Sequence, residues 1–339
     1  MATNLSMTPF LIEEEVWSEQ CQQGLWTQAF RRLSQNKAAM VSLIVICLLY
    51  LVAIFSPLIA PTDPTQVHFA NILTPPAWQP GGTWEFPLGT DSVGRDLLSR
   101  LIYGARISMS IGLVPVVFYL VIGGTVGLIA GYAGGVVDTV LMRGVDVFYA
   151  LPDLLIMITL VTLLRETALG DLLSGLVIIL AALALFGWVG TARLVRGQVL
   201  AYKEISFVEA ARALGASPMR IIFRHIVPQI LAPIIVQMTF TIPGAITAEA
   251  VLSFIGIGVR PPTASWGNMV QDGMSALFTR PMLAIAPAFC IAIVTLAFTF
   301  LGDGLRDALD PHFLAQPSSN PSTPLTGSGT LRPRTDTGR

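Results

Sequence analysis

Five uncharged apolar runs leave this chain few folds to choose from. They cover residues 38–62, 107–137, 172–192, 226–248 and 281–302. Each is long enough to cross a bilayer as a helix, which takes about 20 mainly apolar residues. A sixth run, 144–164, is apolar except for Asp146 and Asp153 and contains Pro152. Carboxylates and prolines are tolerated inside a membrane where neighbouring helices satisfy them. The reading is an all-α integral membrane protein with six transmembrane helices. Without the sixth crossing the two ends of the chain fall on opposite sides.

The balance of the composition agrees. Only 12% of the residues are charged and 53% are hydrophobic, with a mean hydropathy of +0.68. A soluble domain carries about 25% charge. The net charge of −1 gives no field that would attract nucleic acid. The three cysteines, Cys21, Cys47 and Cys290, are too far apart for a zinc pattern and odd in number for a disulfide framework. No cleavable signal is expected, because the first apolar run begins only after Lys37.

Lys and Arg in the loops set the orientation. With the N-terminus inside, fourteen of the 20 cations fall in cytoplasmic segments. Six, namely Arg95, Arg100, Arg106, Arg165, Arg260 and Arg280, fall outside. Both termini are therefore expected in the cytoplasm. Residues 1–37 become a cytoplasmic tail with an amphipathic helix near Trp26–Leu33. Residues 38–62 are the first span, 63–106 a long outer segment, and 107–305 a core of five helices. Residues 256–280 are read as a second outer loop. Residues 315–339 are rich in Pro, Ser, Thr and Gly and are expected to be disordered. Gly123, Gly127, Gly131 and Gly135 recur at four-residue steps, a spacing that lets helix backbones approach in lipid, with a hinge or pore-lining role as the alternative.

One polar segment stands apart. Residues 203–228 lie between two apolar runs, and the charge bias puts them on the cytoplasmic side. Glu204, Glu209, Ala210, Ala211, Arg212, Ala213 and Leu214 favour helix. Gly215 can take positive φ and end it. Ser217 can cap a second helix with Pro218 in its first position. The expected form is helix, sharp turn, helix, with a slim alanine knob and Glu209 free to pair with Arg212. A connector needs only a few residues, so twenty ordered ones imply a partner.

These residues resemble a known pattern. Glu209-Ala210-Ala211, then Gly215, then Val227-Pro228 resembles the coupling loop of ABC-transporter permease subunits, although Val227 stands where Leu is usual. Further stretches resemble peptide-transport permeases of the DppC/OppC type. They are Phe30-Arg31-Arg32-Leu33, Ser56-Pro57 to Pro61, Leu88-Gly89-Thr90-Asp91, Gly94-Arg95-Asp96, Tyr103 to Arg106, Leu252 to Gly256 and Ser265-Trp266-Gly267. Together the similarity covers about residues 30–313. It implies a type I ABC importer permease of MetI-like architecture in a bacterial inner membrane. The implied partners are a second homologous permease, two ATP-binding subunits and an extracytoplasmic substrate-binding protein. The implied coupling residues are Glu209, Ala210, Ala211, Arg212, Gly215 and Pro228.

Other candidates come from the residues themselves. Asp153 and Glu249 are carboxylates in or near spans, and such groups mark pathways when they are not satisfied by the bundle. Trp266 reads as an anchor at the outer interface or a contact for a binding protein. Gly89, Asp91, Gly94 and Asp96 read as a turn capping a helix rather than a metal loop. No phosphate-cradling Gly-Lys-Ser/Thr occurs, since neither Lys37 nor Lys203 follows Gly. His68, His225 and His312 are far apart, and no Gly-x-Ser-x-Gly is present. Neither an active site nor a bound cofactor or metal is expected, and any ATP is bound by partner subunits. An ion-driven transporter using Asp153 or Glu249 would explain the spans but not the ordered plug.

Overall fold

A computed structural model of the chain describes residues 25–168 and 175–309. The tail expected at 315–339 lies outside the described residues, as does the start of the third uncharged run. Among the described residues the regular structure is helical and no strand occurs.

The helices in chain order are α1 (Leu25–Gln35), α2 (Lys37–Ile54), α3 (Ser56–Ile59), α4 (Leu97–Phe118), α5 (Gly124–Ala133), α6 (Gly135–Ala150) and α7 (Asp153–Leu164). There follow α8 (Leu176–Tyr202), α9 (Ser206–Ala213), α10 (Pro218–Ile221), α11 (Val227–Phe254), α12 (Trp266–Met274) and α13 (Met282–Leu309). A π turn at Tyr119–Gly123 joins α4 to α5, just after Pro115, and another at Ile222–Ile226 joins α10 to α11. Helices therefore run unbroken over Leu97–Ala133 and Pro218–Phe254, 37 residues each.

The first of these starts ten residues earlier than the charges at Arg100 and Arg106 imply. The reason is neutralisation. Arg100 is buried, with its guanidinium bonded to Asp91 and, at 3.0 Å, to Asp272. A paired guanidinium can stay inside a helix bundle where a lone one cannot.

The glycine spacing does what close packing requires. A Cβ on Gly123 would stand 2.4 Å from the Trp188 carbonyl oxygen, and one on Gly127 2.6 Å from that of Ala192. At Gly131 it would meet the Val199 side chain at 2.8 Å. Gly135 does not belong to this stripe. It has φ +53 beside Gly134 at φ +65, and it starts a new helix.

Those contacts also fix direction. Rising numbers on α5 meet rising numbers on α8, so the two helices run parallel. Lys203 Nζ reaches the Gly131 carbonyl at 3.3 Å, so both helices end on one face. The chain must then recross the bundle between them. It does so by α6 and α7, which meet at 79° around Leu151-Pro152. The far end of this arm is secured where the Arg165 guanidinium donates to the Gly256 carbonyl at 2.8 Å, at the end of α11. The expected straight span over 144–164 is thus a bent pair. Pro152 lacks an N–H and pushes Leu151 into an extended conformation (ψ 136), which breaks the helix there.

Two faces follow. One carries Gly134, Lys203, α9 and the start of α2, where a Cβ on Gly304 of α13 would meet Ala39. The described ends of the chain share it. On the far face Thr62 N–H donates to Ser99 Oγ at 3.0 Å, and Arg280 Nε to the Leu73 carbonyl at 2.9 Å. Between the faces Val41, Ile44, Leu48 and Leu51 form an exposed apolar stripe on α2, which suits lipid.

Candidate functional site

The segment 203–228 folds into a knob. Ile205 precedes α9 in an extended conformation, and Leu214 caps its end. Gly215 has φ +80, the left-handed conformation that favours glycine. Ala216 N–H then returns to the Ala211 carbonyl at 3.0 Å, closing the turn. Ser217 Oγ accepts from Arg220 N–H at 3.4 Å, and Pro218 opens α10. The helix-turn-helix read from the sequence is present, with one addition. The second helix does not stop at Val227-Pro228 but continues through the π turn into α11. The knob is the end of a spanning helix.

Its underside is packed. Val208, Ile221, Ile226 and Ile230 are buried with Val195 and Val199 of α8. Its outer surface is open. Glu209, Ala210 and Arg212 are exposed, Ala211 is half-buried, and Gly215 and Pro228 are exposed. The expected Glu209–Arg212 ion pair is not formed, and neither residue has a charged partner among the described residues. Both charges point to water. Sequence reasoning missed the apolar side chains around them. Leu214 is 88% exposed, and Phe207, Met219 and Phe223 are exposed beside it. The signal was available, since a large apolar residue just before the turn glycine has no buried face to fill.

The candidates elsewhere lie apart from the knob. Asp153 is not held in the bundle. It sits exposed in the first turn of α7, where its Oδ1 accepts from Leu154 N–H at 2.7 Å. A carboxylate there suits the helix dipole. Glu249 is fully buried. Its Oε1 accepts from Ser253 Oγ at 2.6 Å and from Ser265 Oγ at 2.8 Å, tying α11 to the cap of α12. It faces packing, not a passage. Trp266 corrects the reading of an interface anchor or receptor contact. It is 1% exposed, and its Nε1 donates to the Leu101 carbonyl at 3.0 Å. A Cβ on Gly104 would touch its ring at 3.1 Å, so the glycine leaves it room. The loop around it also holds a helix, α12, which the sequence reading left as loop. Its capping box, Ser265 with Asn268, was the available signal.

The far-face motif is a clasp. Asp96 caps α4 by accepting from Ser99 N–H at 2.9 Å. Asp91 accepts from Arg95 N–H at 2.9 Å and Arg95 Nε at 2.8 Å, and Arg100 also bonds to it. Burial pushes the Asp91 carboxyl up, but the Arg95 N–H and the two guanidiniums outweigh it, and its pKa lies below the usual carboxylate value. Among the described residues no group of His, Cys, Asp and Glu could hold a metal.

The parallel packing of α5 and α8, the bent crossing and the knob together describe a membrane conduit with a lever. Residues 123–314 match the family described as binding-protein-dependent transport system inner membrane component. The chain belongs to that family. Residues 24–76 match the N-terminal TM domain of oligopeptide transport permease C. The oligopeptide transport system permease protein OppC of Bacillus subtilis is 43% identical over 288 residues, 85% of this chain and 90% of that protein. The dipeptide transport system permease protein DppC of the same organism is 41% identical over 284 residues, 84% of each chain. DppC of Haemophilus influenzae is 40% identical over 277 residues, 82% of this chain and 91% of that one. A chain of the inward-facing MetNI methionine ABC transporter shares the fold, with a TM-score of 0.51 at 19% identity over 63% of this chain and 98% of that chain. This family member is a multi-pass permease with apolar helices sufficient for five or six crossings.

Proposed function

We propose that the chain is one permease subunit of an ATP-driven importer of di- and oligopeptides. It pairs with a second, homologous permease to form the path. Two ATP-binding subunits sit under the knobs, and a substrate-binding protein delivers solute at the far face. The knob face is cytoplasmic, so both termini are inside a bacterial inner membrane. The chain itself hydrolyses nothing and binds no cofactor.

The observation that carries this reading is the knob. Exposed Phe207, Leu214, Met219 and Phe223 surround two unpaired charges on a segment whose underside is fully packed. An apolar surface rimmed by charge marks a protein contact. Because α10 runs into α11, a push at the knob moves a helix that crosses the membrane. ATP binding then favours one conformation through its differential affinity for the two. Names of relatives support peptides as the solute, since OppC and DppC are named for oligopeptide and dipeptide transport.

The test is reconstitution. The chain is co-expressed with its genomic neighbours, purified by a tag on this subunit, and placed in vesicles with a labelled dipeptide. Uptake that requires ATP and an ATPase co-purifying with the chain are expected. Uptake that proceeds without any ATPase subunit overturns the reading in favour of an ion-driven carrier.

A further inference from the structure

The charges between α6 and α8 serve neither the knob nor the clasp. Asp138, Arg143 and Asp146 of α6 and Arg193 and Arg196 of α8 line a cavity of about 570 Å³, with Thr139 and Met142. That volume lies in the range of ligand sites, roughly 300–1,000 Å³. Four of the five charges are matched. Arg196 holds Asp138 with two hydrogen bonds, one of 2.7 Å, and Arg193 holds Asp146 at 2.6 Å while lying 4.0 Å over the Tyr149 ring. Arg143 is exposed and has no ion-pair partner among the described residues. The cavity thus carries one uncompensated positive charge.

Its depth matters. Arg196 and Arg193 lie seven and ten residues before Lys203, at the end of α8. At 1.5 Å per residue that is about 10 and 15 Å inward from the knob face. Charges at such depth are expensive against lipid and mark solute paths or buried partners. The cavity is open on one side, and Asp146 and Arg193 remain partly exposed despite their pairing.

We infer that this cleft is a water-filled station on the solute path, in which Arg143 receives an anionic group of the passing solute. The inference rests on the peptide reading for the identity of that group, a terminal carboxylate. Arg143 and Asp146 are three apart on α6 and share a face, as do Thr139 and Arg143 four apart. A guanidinium binds carboxylate through charge-assisted hydrogen bonds. Asp146, only partly covered by Arg193, offers a second contact for the terminal ammonium. Every peptide carries both ends whatever its side chains, so such a station would be indifferent to sequence. An anionic lipid headgroup is disfavoured by the depth and by the two carboxylates in the same wall.

The test uses the assembled transporter in inside-out vesicles. Thr139→Cys is placed in a chain whose Cys21, Cys47 and Cys290 are changed to Ala. Labelling rates are compared for an anionic and a cationic methanethiosulfonate reagent of similar size. The introduced thiol is expected to react with both, and several-fold faster with the anionic one. Arg143→Gln should abolish the preference, and Arg143→Lys should restore it. Co-purification of the ATPase subunits checks that each variant assembles. An unreactive thiol at this position, which places the cleft against lipid or a partner permease, overturns the inference. So does a preference that survives Arg143→Gln, or one that vanishes only when phosphatidylglycerol is present. Absence of dipeptide uptake by the wild type, with the charge preference intact, would defeat the peptide reading alone.

Discussion

The two faces of this permease handle polar and apolar groups in opposite ways. On the far face the clasp buries its charges and satisfies them within the chain. Asp91, Arg95, Arg100 and Asp272 form two matched pairs, and Phe86 beneath them is fully buried. On the knob face Glu209 and Arg212 stay unpaired, and Leu214 projects into solvent. One region is complete in a single chain and the other is not. The difference separates structure that holds the fold from structure that meets a partner. It also shows that a polar motif can be as specific in sequence as a coupling loop and still be scaffolding.

The comparison breaks most easily at the clasp. Asp91→Ala leaves Arg95 and Arg100 short of their shared acceptor in a buried setting. Removing one partner of a buried pair costs about 3–5 kcal/mol. The thermal midpoint of the detergent-solubilised chain should fall sharply, and a midpoint equal to wild type would show the clasp to be dispensable. Gly215→Val acts on the other face. A β-branched residue at φ +80 costs on the order of 1–2 kcal/mol. The strain stays in the turn, so the chain should remain folded while ATPase subunits fail to co-purify. Unchanged assembly counts against the turn as a contact element.

Acid provides a milder probe of the far face. The Asp91 pKa is lowered in the folded chain, so its contribution to stability is complete above the ordinary carboxylate pKa of about 3.9 and is lost as pH falls through the lowered value. Unfolding of the solubilised chain should steepen below about pH 4. Asp91→Asn should show a shallower acid dependence, and an identical profile would place the sensitivity elsewhere. The smallest change in stability belongs to Glu209→Lys. An exposed, unpaired carboxylate contributes within about 0.5 kcal/mol. The thermal midpoint should hold while ATP-dependent uptake falls, and normal uptake would remove Glu209 from the contact.

Much of this organisation was legible in the sequence because lipid imposes it. Uncharged runs marked five helices, the glycine steps marked the α5–α8 contact, and Gly215, Ser217 and Pro218 spelled out the turn. What stayed hidden depends on pairing across the chain. The early start of α4 requires knowing that Arg100 meets Asp272, 172 residues away. The burial of Trp266 requires the gap left by Gly104. The bend at Pro152 was visible as a proline but not as an angle, because the packing of α6 and α7 sets it. Of the site candidates, those on the knob are grouped by local spacing. Asp153, Glu249 and Trp266 are scattered by tertiary structure that no local spacing reports.

The central claim is that the exposed knob is where a separate nucleotide-driven motor pushes on the permease. A photoreactive amino acid at Leu214, activated in cells that express the whole transporter, tests it most directly. The account predicts a crosslink to an ATP-binding subunit whose yield changes with nucleotide. A crosslink to the extracytoplasmic substrate-binding protein, or none to any ATP-binding subunit in an assembled complex, would contradict it.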